Sequence, residues 1–295
     1  MKITVTGSLG NVGRPLAEQL ISEGHQVTII TSTPDRENEI NKIGASAAVG
    51  SITDLDFLIR AFSGADAVFT MTPSDAFDPD MISNTIKTGH TYAEAITVAQ
   101  VKKVVMLSSI GADLPSGNGP VKGIHHIEER FRQLENVAVT FLRPGFFYYN
   151  YFRDIPIIKE FGILGSNYPA DAVLPLVHPK DIAAAAAEEL TKPSEGKNVR
   201  YIVSDLQEVG IIASLLGVAI SKPELYWVEF ADSQLHEALL NAGLPVESVE
   251  GYVEMGKGFG SGLITKDFYA SGTPVTGKIK LSEFSKEFAE RFHTS

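Results

Sequence analysis

Met1–Gly13, MKITVTGSLGNVG, decides the fold. Lys2 to Thr6 alternates β-branched side chains as a short strand does, and Gly7, Gly10 and Gly13 follow it directly. Val12, Leu16 and Leu20 then recur at helical spacing until Gly24 stops the helix, and His25 to Thr31 is a second strand. Strand, glycine turn, helix and strand make a βαβ unit. Its turn lets backbone N–H groups converge on a phosphate at the positive end of a helix, and a Cβ at the tightest positions would block the approach. Among 26 glycines in 295 residues the spacing alone would carry little; its place between a strand and a helix makes it a dinucleotide-binding signature. The turn residues Gly7, Ser8, Leu9, Gly10, Asn11 and Val12 are the first cofactor candidates.

The same rhythm continues outward. A polar turn at 34–39 leads to a short helix and a strand at Ala47–Gly50; Thr53 and Asp56 start a helix whose Leu55, Leu58, Ile59 and Phe62 share one face. Ala67–Met71 is a strand, 80–98 a helix, Val104–Ser108 a strand, 122–135 a helix and Val137–Leu142 a strand. The fold class is α/β: a Rossmann-type, doubly wound parallel sheet covered on both faces, binding ligands beyond the carboxyl ends of its strands.

After Pro144 the pattern changes to the aromatic run FFYYNYF and then to a loop rich in Gly, Pro and Asn up to Pro175. Val177–Leu190 reads as a helix whose Ala183–Ala187 run permits close packing, and Val199–Val203 as a strand. Shorter elements follow: apolar 211–218, strand-like Tyr226–Phe230, a helix from Asp232, and a last helix with Phe284, Phe288 and Phe292 at i, i+4 and i+8, a docking stripe. The expected division is a Rossmann domain over 1–150, with 176–204 returning to it, and a smaller C-terminal α+β lobe from 151–175 and 205–295.

No cysteine is present, which excludes disulfides and thiolate chemistry. A net charge of −11 argues against nucleic acid and anionic membranes as partners. Met1 enters the first strand at once and no apolar run reaches the roughly 18 residues of a membrane span, so the expectation is a cytoplasmic protein. The seven histidines show no ligand-like spacing, and no metal is expected. The oligomeric state is not legible.

Dinucleotide folds hold the adenosine ribose with an acid at the end of the second strand, or a 2′-phosphate with a cation nearby. Here Thr31 and Ser32 end that strand, and Arg36 follows. That favours NADP(H), with NAD(H) as the alternative. Ser51 and Ile52, after the third strand, should flank the adenine; Met71, Thr72 and Pro73, after the fourth, should line the route to the nicotinamide, with Pro144 and Phe146 completing the set. Phe147, Tyr148 and Tyr149 are the aromatic substrate candidates, suited to stacking on a flat small molecule such as a quinone. Glu128 and Glu129 read as solvated helix carboxylates.

TGSLGNVG at 6–13, Leu107-Ser108-Ser109, FLRPGFF with Asn150 behind it, and HPKDIA at 178–183 together resemble the NmrA-like group of atypical short-chain dehydrogenases/reductases over nearly the whole chain. The resemblance implies a Rossmann domain with a smaller C-terminal lobe, preference for NADP(H), and a cleft between the lobes. Some members are quinone or azo-dye reductases; others are regulators that sense the nicotinamide pool through a protein partner. Typical short-chain dehydrogenases pair a Tyr with a Lys four residues on, and no tyrosine here has that partner. Aligned on PVKGIHHIEERF, Lys122 replaces the tyrosine and His126 takes the lysine position, or His125 if the register slips. His126, an imidazole suited in kind to proton transfer, and Ser109 at the usual serine site are therefore the catalytic candidates. The expected function is an NADPH-dependent reductase of small planar acceptors, with a non-catalytic NADP(H) sensor as the alternative.

Overall fold

Near-continuous apolar runs such as Val68–Phe69, Val104–Met106 and Phe141–Leu142, all buried, suit strands covered on both faces. The computed structural model describes residues 1–295. The elements run β1 (Lys2–Val5), α1 (Gly13–Ser22), β2 (Gln26–Thr31), α2 (Glu37–Lys42), β3 (Ser46–Val49), α3 (Leu55–Phe62), β4 (Ala67–Thr70), α4 (Met81–Val98), β5 (Lys103–Leu107), α5 (Val121–Arg132) and β6 (Ala138–Pro144). They continue with β7 (Phe146–Phe147), a 3-10 segment (Tyr148–Asp154), α6 (Ile155–Phe161), β8 (Ile163–Ser166), β9 (Val173–Val177), α7 (Pro179–Thr191), β10 (Lys197–Ile202), β11 (Asp205–Glu208) and α8 (Val209–Ala219). The chain ends with β12 (Tyr226–Glu229), α9 (Asp232–Asn241), α10 (Val246–Gly260), α11 (Lys266–Ala270) and α12 (Leu281–Thr294).

Seven strands pair in parallel in the order β10-β6-β5-β4-β1-β2-β3, a Rossmann-type sheet. One face is covered by α1 and α7 through Leu16, Leu20, Ile182, Ala183 and Ala186; the other by α3, α4 and α5 through Leu58, Phe62, Tyr92, Ile96, Ile127 and Phe131. The alanines let α7 lie close to α1 and the sheet. Strand order reverses beside β1, between β2 and β4, so the crevice over their carboxyl ends is where a dinucleotide fits.

A third core lies on the C-terminal side, where Phe284, Phe288 and Phe292 of α12 pack with Tyr148, Tyr151, Ile158, Leu164, Ile212 and Leu216. Two small sheets flank it, β11-β9-β7 and β12-β8. The stretch up to Pro175 that reads as a loop is thus ordered into α6, β8 and most of β9. Its strands pair only with distant ones, Ile163 with Tyr226 and Leu176 with Asp205, so no local pattern marks them. Likewise Val177 belongs to β9 rather than to the helix, and α7 starts at Pro179 behind His178, whose Nδ1 accepts from Lys180 N. Asp54, not Thr53, caps α3 by accepting from Phe57 N at 3.0 Å. No helix is long and apolar enough to cross a membrane.

Candidate functional site

The glycine turn sits at the carboxyl end of β1. Gly7 has φ 89°, and a Cβ there would run into the Met71 thioether; a Cβ on Gly13 would overlap the Ser8 carbonyl. Gly13 therefore lets α1 start against the turn, whereas at Gly10 a Cβ would have 3.2 Å to the Gly7 carbonyl. The backbone N–H groups of Leu9, Asn11 and Val12 make no hydrogen bond within the chain, and α1 has no side-chain cap. Free donors at a helix N-terminus, in a cradle that a Cβ would fill, fit a pyrophosphate. Val12 is itself a core residue, so it offers the site its backbone alone, while Leu9 is half-buried and Asn11 exposed.

At the adenosine end three predicted residues meet. Ser8 Oγ donates to Thr31 Oγ1 at 3.0 Å, and Arg36 Nη1 donates to Ser8 Oγ at 3.2 Å. Thr31 is buried and tied to Thr33 N; Arg36 is exposed in a 3-10 turn, Pro34–Arg36. No carboxylate enters this cluster, so it suits a 2′-phosphate. Ser32 is exposed nearby; Ser51 is exposed and hydrogen-bonded to Thr53, and Ile52 packs on the sheet.

Towards the other end, Met71 is fixed at both backbone groups: its N–H donates to Thr6 Oγ1 at 2.8 Å, and its carbonyl accepts from Thr6 Oγ1 and Tyr92 OH. Thr72 is half-buried and Pro73 exposed beyond it. Ser109 Oγ bonds only the Ile110 carbonyl. Gly123 and Ile127 form the face of α5 that meets α4, at Thr85 and Gly89, and His126 is left exposed without a hydrogen-bond partner. His125 turns to the β5–α5 loop instead, where its Nδ1 donates to Ala112 O at 2.8 Å; the slipped register is the one that faces the loop after Ser109. That bond leaves Nε2 without a partner in the chain.

The most distinctive motif residues are fasteners. Glu128, expected on the surface, is 1% exposed: Arg143 Nε and Nη2 donate to its two oxygens at 2.9 and 2.7 Å, and Ser108 Oγ and Arg132 also bond it. Arg143 Nη1 reaches on to Tyr201 OH and Asp267 Oδ2, each at 3.0 Å, tying β6, β10, α5 and α11 together. Burial beside this cluster raises the Asp113 carboxyl above its ordinary range. In HPKDIA, Asp181 Oδ2 accepts from Ser204 Oγ and Ile279 N, pinning the strap that precedes α12. His178 accepts from Lys180 N at Nδ1, so its proton sits on Nε2 and donates to Glu287 Oε2 at 3.3 Å. Burial lowers the His178 pKa and keeps the ring neutral.

Tyr148 corrects the expected cleft: with no exposed surface, it stacks on Phe284 at 4.9 Å and belongs to the C-terminal core. Phe146, Phe147 and Tyr149 keep partial exposure. Phe146 packs edge-on to Phe259, Pro144 is buried, and Tyr149 OH donates to Glu287 at 3.1 Å, with its phenol pushed up to about 12 by burial and that carboxylate. Glu287, Asp54 and the buried role of Glu128 are the residues that sequence reasoning missed. For Glu128 a signal existed: it lies four residues after Ile124, on the apolar arc.

A family model described as NAD(P)H-binding matches residues 7–193. The chain is 25% identical to the NAD(P)H azoreductase of Xenophilus azovorans, over 98% of this chain and 99% of that one. Among solved structures it is similar to the NADPH-dependent quinone oxidoreductase of Escherichia coli complexed with NADPH, with TM-score 0.78, 22% identity and 97% and 99% of the two chains covered. It also resembles the triphenylmethane reductase of Citrobacter sp. complexed with NADP(H), with TM-score 0.76, 20% identity, and 97% and 99% covered. At such identities the solved structures establish the fold. With the family model spanning well over half its length, this chain belongs to the NAD(P)H-binding family.

Proposed function

We propose that the protein is an NADPH-dependent reductase of small planar acceptors such as quinones. The observation that carries the reading is the carboxylate-free convergence of Ser8, Thr31 and Arg36 beside the glycine turn, which favours the phosphorylated cofactor. Its full-length likeness to an azoreductase supports the reductase class. When bound, NADPH supplies the hydride. The chain's part is to hold the pyrophosphate on the N–H groups of Leu9, Asn11 and Val12 and the 2′-phosphate on Ser8, Thr31 and Arg36. Ser51 and Ile52 flank the adenine; Met71, Thr72, Pro73, Pro144 and Phe146 border the nicotinamide. Phe147 and Tyr149 offer ring faces to the acceptor. A quinone that takes a hydride needs one proton more, supplied by a protonated His125 imidazole or by water, with Ser109 following β5; exposed His126 is the less suited of the two histidines.

A second reading, a non-catalytic NADP(H) sensor, draws on α5, where Gly123 and Ile127 fill the inward face and no Tyr-Lys pair exists. Anaerobic NADPH consumption over a panel of quinones, azo dyes and aldehydes separates the two. The reductase reading expects quinone turnover with NADPH preferred to NADH, a preference that shrinks in Arg36→Ala by about 10-fold or more, as loss of a charged hydrogen-bonding partner should. His125→Ala should lower kcat and His126→Ala leave it unchanged. Tight NADPH binding with no turnover on any acceptor defeats the reductase and leaves the sensor.

A further inference from the structure

Residues 72–80, TPSDAFDPD, rise from β4 at the reversal of strand order, between the glycine turn on β1 and Ser109 after β5. Their root is rigid, because both backbone groups of Met71 are bound to Thr6 and Tyr92. Beyond it every hydrogen bond is local: Phe77 N to Asp75 Oδ1, Asp80 N to Asp78 Oδ1, Asn84 Nδ2 to Asp78 Oδ2, and Asp78 N and Met81 N to carbonyls within the loop. Two side-chain turns thus shape the segment, and nothing ties it to another element apart from the first turn of α4. At its tip stands Phe77, 62% exposed and among the most exposed large apolar side chains of the protein. Its surroundings carry three carboxylates, Asp75, Asp78 and Asp80, and Asn84 with the Asp80 N–H holds Asp78 below its ordinary pKa, so that it is ionised at neutral pH. Lys87, further along α4, is the cation that acts on it.

A fixed root beside the crevice, a body whose hydrogen bonds are local and an exposed ring are the parts of a recognition loop. We propose that residues 72–80 close over the acceptor, with Phe77 stacking on its plane, and that the loop's carboxylates make the enzyme select uncharged and cationic planar acceptors over anionic ones. This rests on the reductase reading above and names its substrate class. Stacking accounts for shape, since an aromatic face prefers another π-system. Charge accounts for sign: an acidic mouth on a protein of net charge −11 lowers the local concentration of anions and raises that of cations.

The test compares reduction, by the NADPH-loaded protein, of a neutral naphthoquinone, a cationic triarylmethane dye and a sulfonated azo dye. Phe77→Ala should raise the acceptor KM about 10-fold, the size of a lost aromatic contact, and leave NADPH affinity unchanged. In Asp75→Asn/Asp78→Asn/Asp80→Asn, asparagine keeps the side-chain turns and removes the charge; the cationic dye's advantage over the sulfonated dye should fall several-fold, as it should for the parent at about 0.3 M salt. An unchanged KM for all three acceptors in Phe77→Ala overturns the loop's role, and a parent that prefers the sulfonated dye overturns the charge selection. Were the parent to reduce none of them, the reductase reading would fail. Titration of the cationic dye into the NADPH-loaded protein would then decide the loop by itself, equal affinity in parent and Phe77→Ala ruling it out.

Discussion

The glycine turn and the junction around Arg143 sit at the carboxyl ends of β1 and β6, with β4 and β5 between them, and are built in opposite ways. At the turn the chain presents backbone: three free N–H groups, glycines where a Cβ would collide, and a few small or exposed side chains. At the junction it presents buried charge, Arg143 at 4% exposure against Glu128 at 1%, with Tyr201 and the half-exposed Asp267 closing the ring. The turn leaves backbone donors unpaired for a ligand. The junction is complete without a ligand and joins the sheet to α11. Within RPGFF and HPKDIA, Arg143, His178 and Asp181 are taken up by such internal bonds.

The largest expected effect falls on the junction. Arg143→Met keeps the volume but leaves Glu128 buried with only the half-exposed Arg132 opposite it, and stripping one partner from a buried pair costs about 3–5 kcal/mol. Denaturant unfolding should register that loss, with Arg132 holding it near the lower end. If Arg143→Met unfolds at the parent's midpoint, the junction is not a fastener and the contrast collapses.

Gly13→Ala comes next and strikes the turn. Its Cβ would overlap the Ser8 carbonyl, a backbone atom that cannot swing aside, so either α1 backs away or the turn opens. NADPH affinity should fall by roughly 100-fold or more, about 3 kcal/mol, while Gly10→Ala, with 3.2 Å of room, should cost much less. Calorimetric titration of the two variants ranks the glycines. Equal losses would mean that approach to the pyrophosphate, rather than helix-to-turn packing, sets the demand.

This contrast also explains what could be read from the sequence. The turn is local: strand, glycines and helix lie within 22 residues, and periodicity exposes them, as it does the alternating sheet order. Asp35 is acidic yet stands outside the Ser8–Thr31–Arg36 cluster, so the inference from Thr31 and Arg36 needed no distant contact. The C-terminal side is non-local: β8 finds β12 some sixty residues on, and Tyr148 is buried by Phe284 of the last helix. The exposure of His126 was legible too. Gly123, Ile127 and Phe131 already mark the buried arc of α5 at i, i+4 and i+8, and that arc leaves His126 outside.

The smallest expected effect is also the sharpest, because it asks whether the turn discriminates through a side chain at all. Ser8 holds φ 55°, a left-handed conformation that a residue with a Cβ adopts at some cost. What offsets the cost is its hydroxyl, which bonds Thr31 and receives Arg36. Ser8→Ala keeps the Cβ and removes the hydroxyl, so NADPH binding should weaken about fivefold, near 1 kcal/mol, with NADH binding unchanged because NADH brings no 2′-phosphate. Ser8→Gly removes the same hydroxyl and relaxes the backbone. If both variants lose NADPH affinity alike, the hydroxyl carries the discrimination; if glycine restores it, the strained backbone was the limit. An equal loss of NADH and NADPH in Ser8→Ala would show that Ser8 shapes the pyrophosphate cradle and leaves the 2′-phosphate to Thr31 and Arg36.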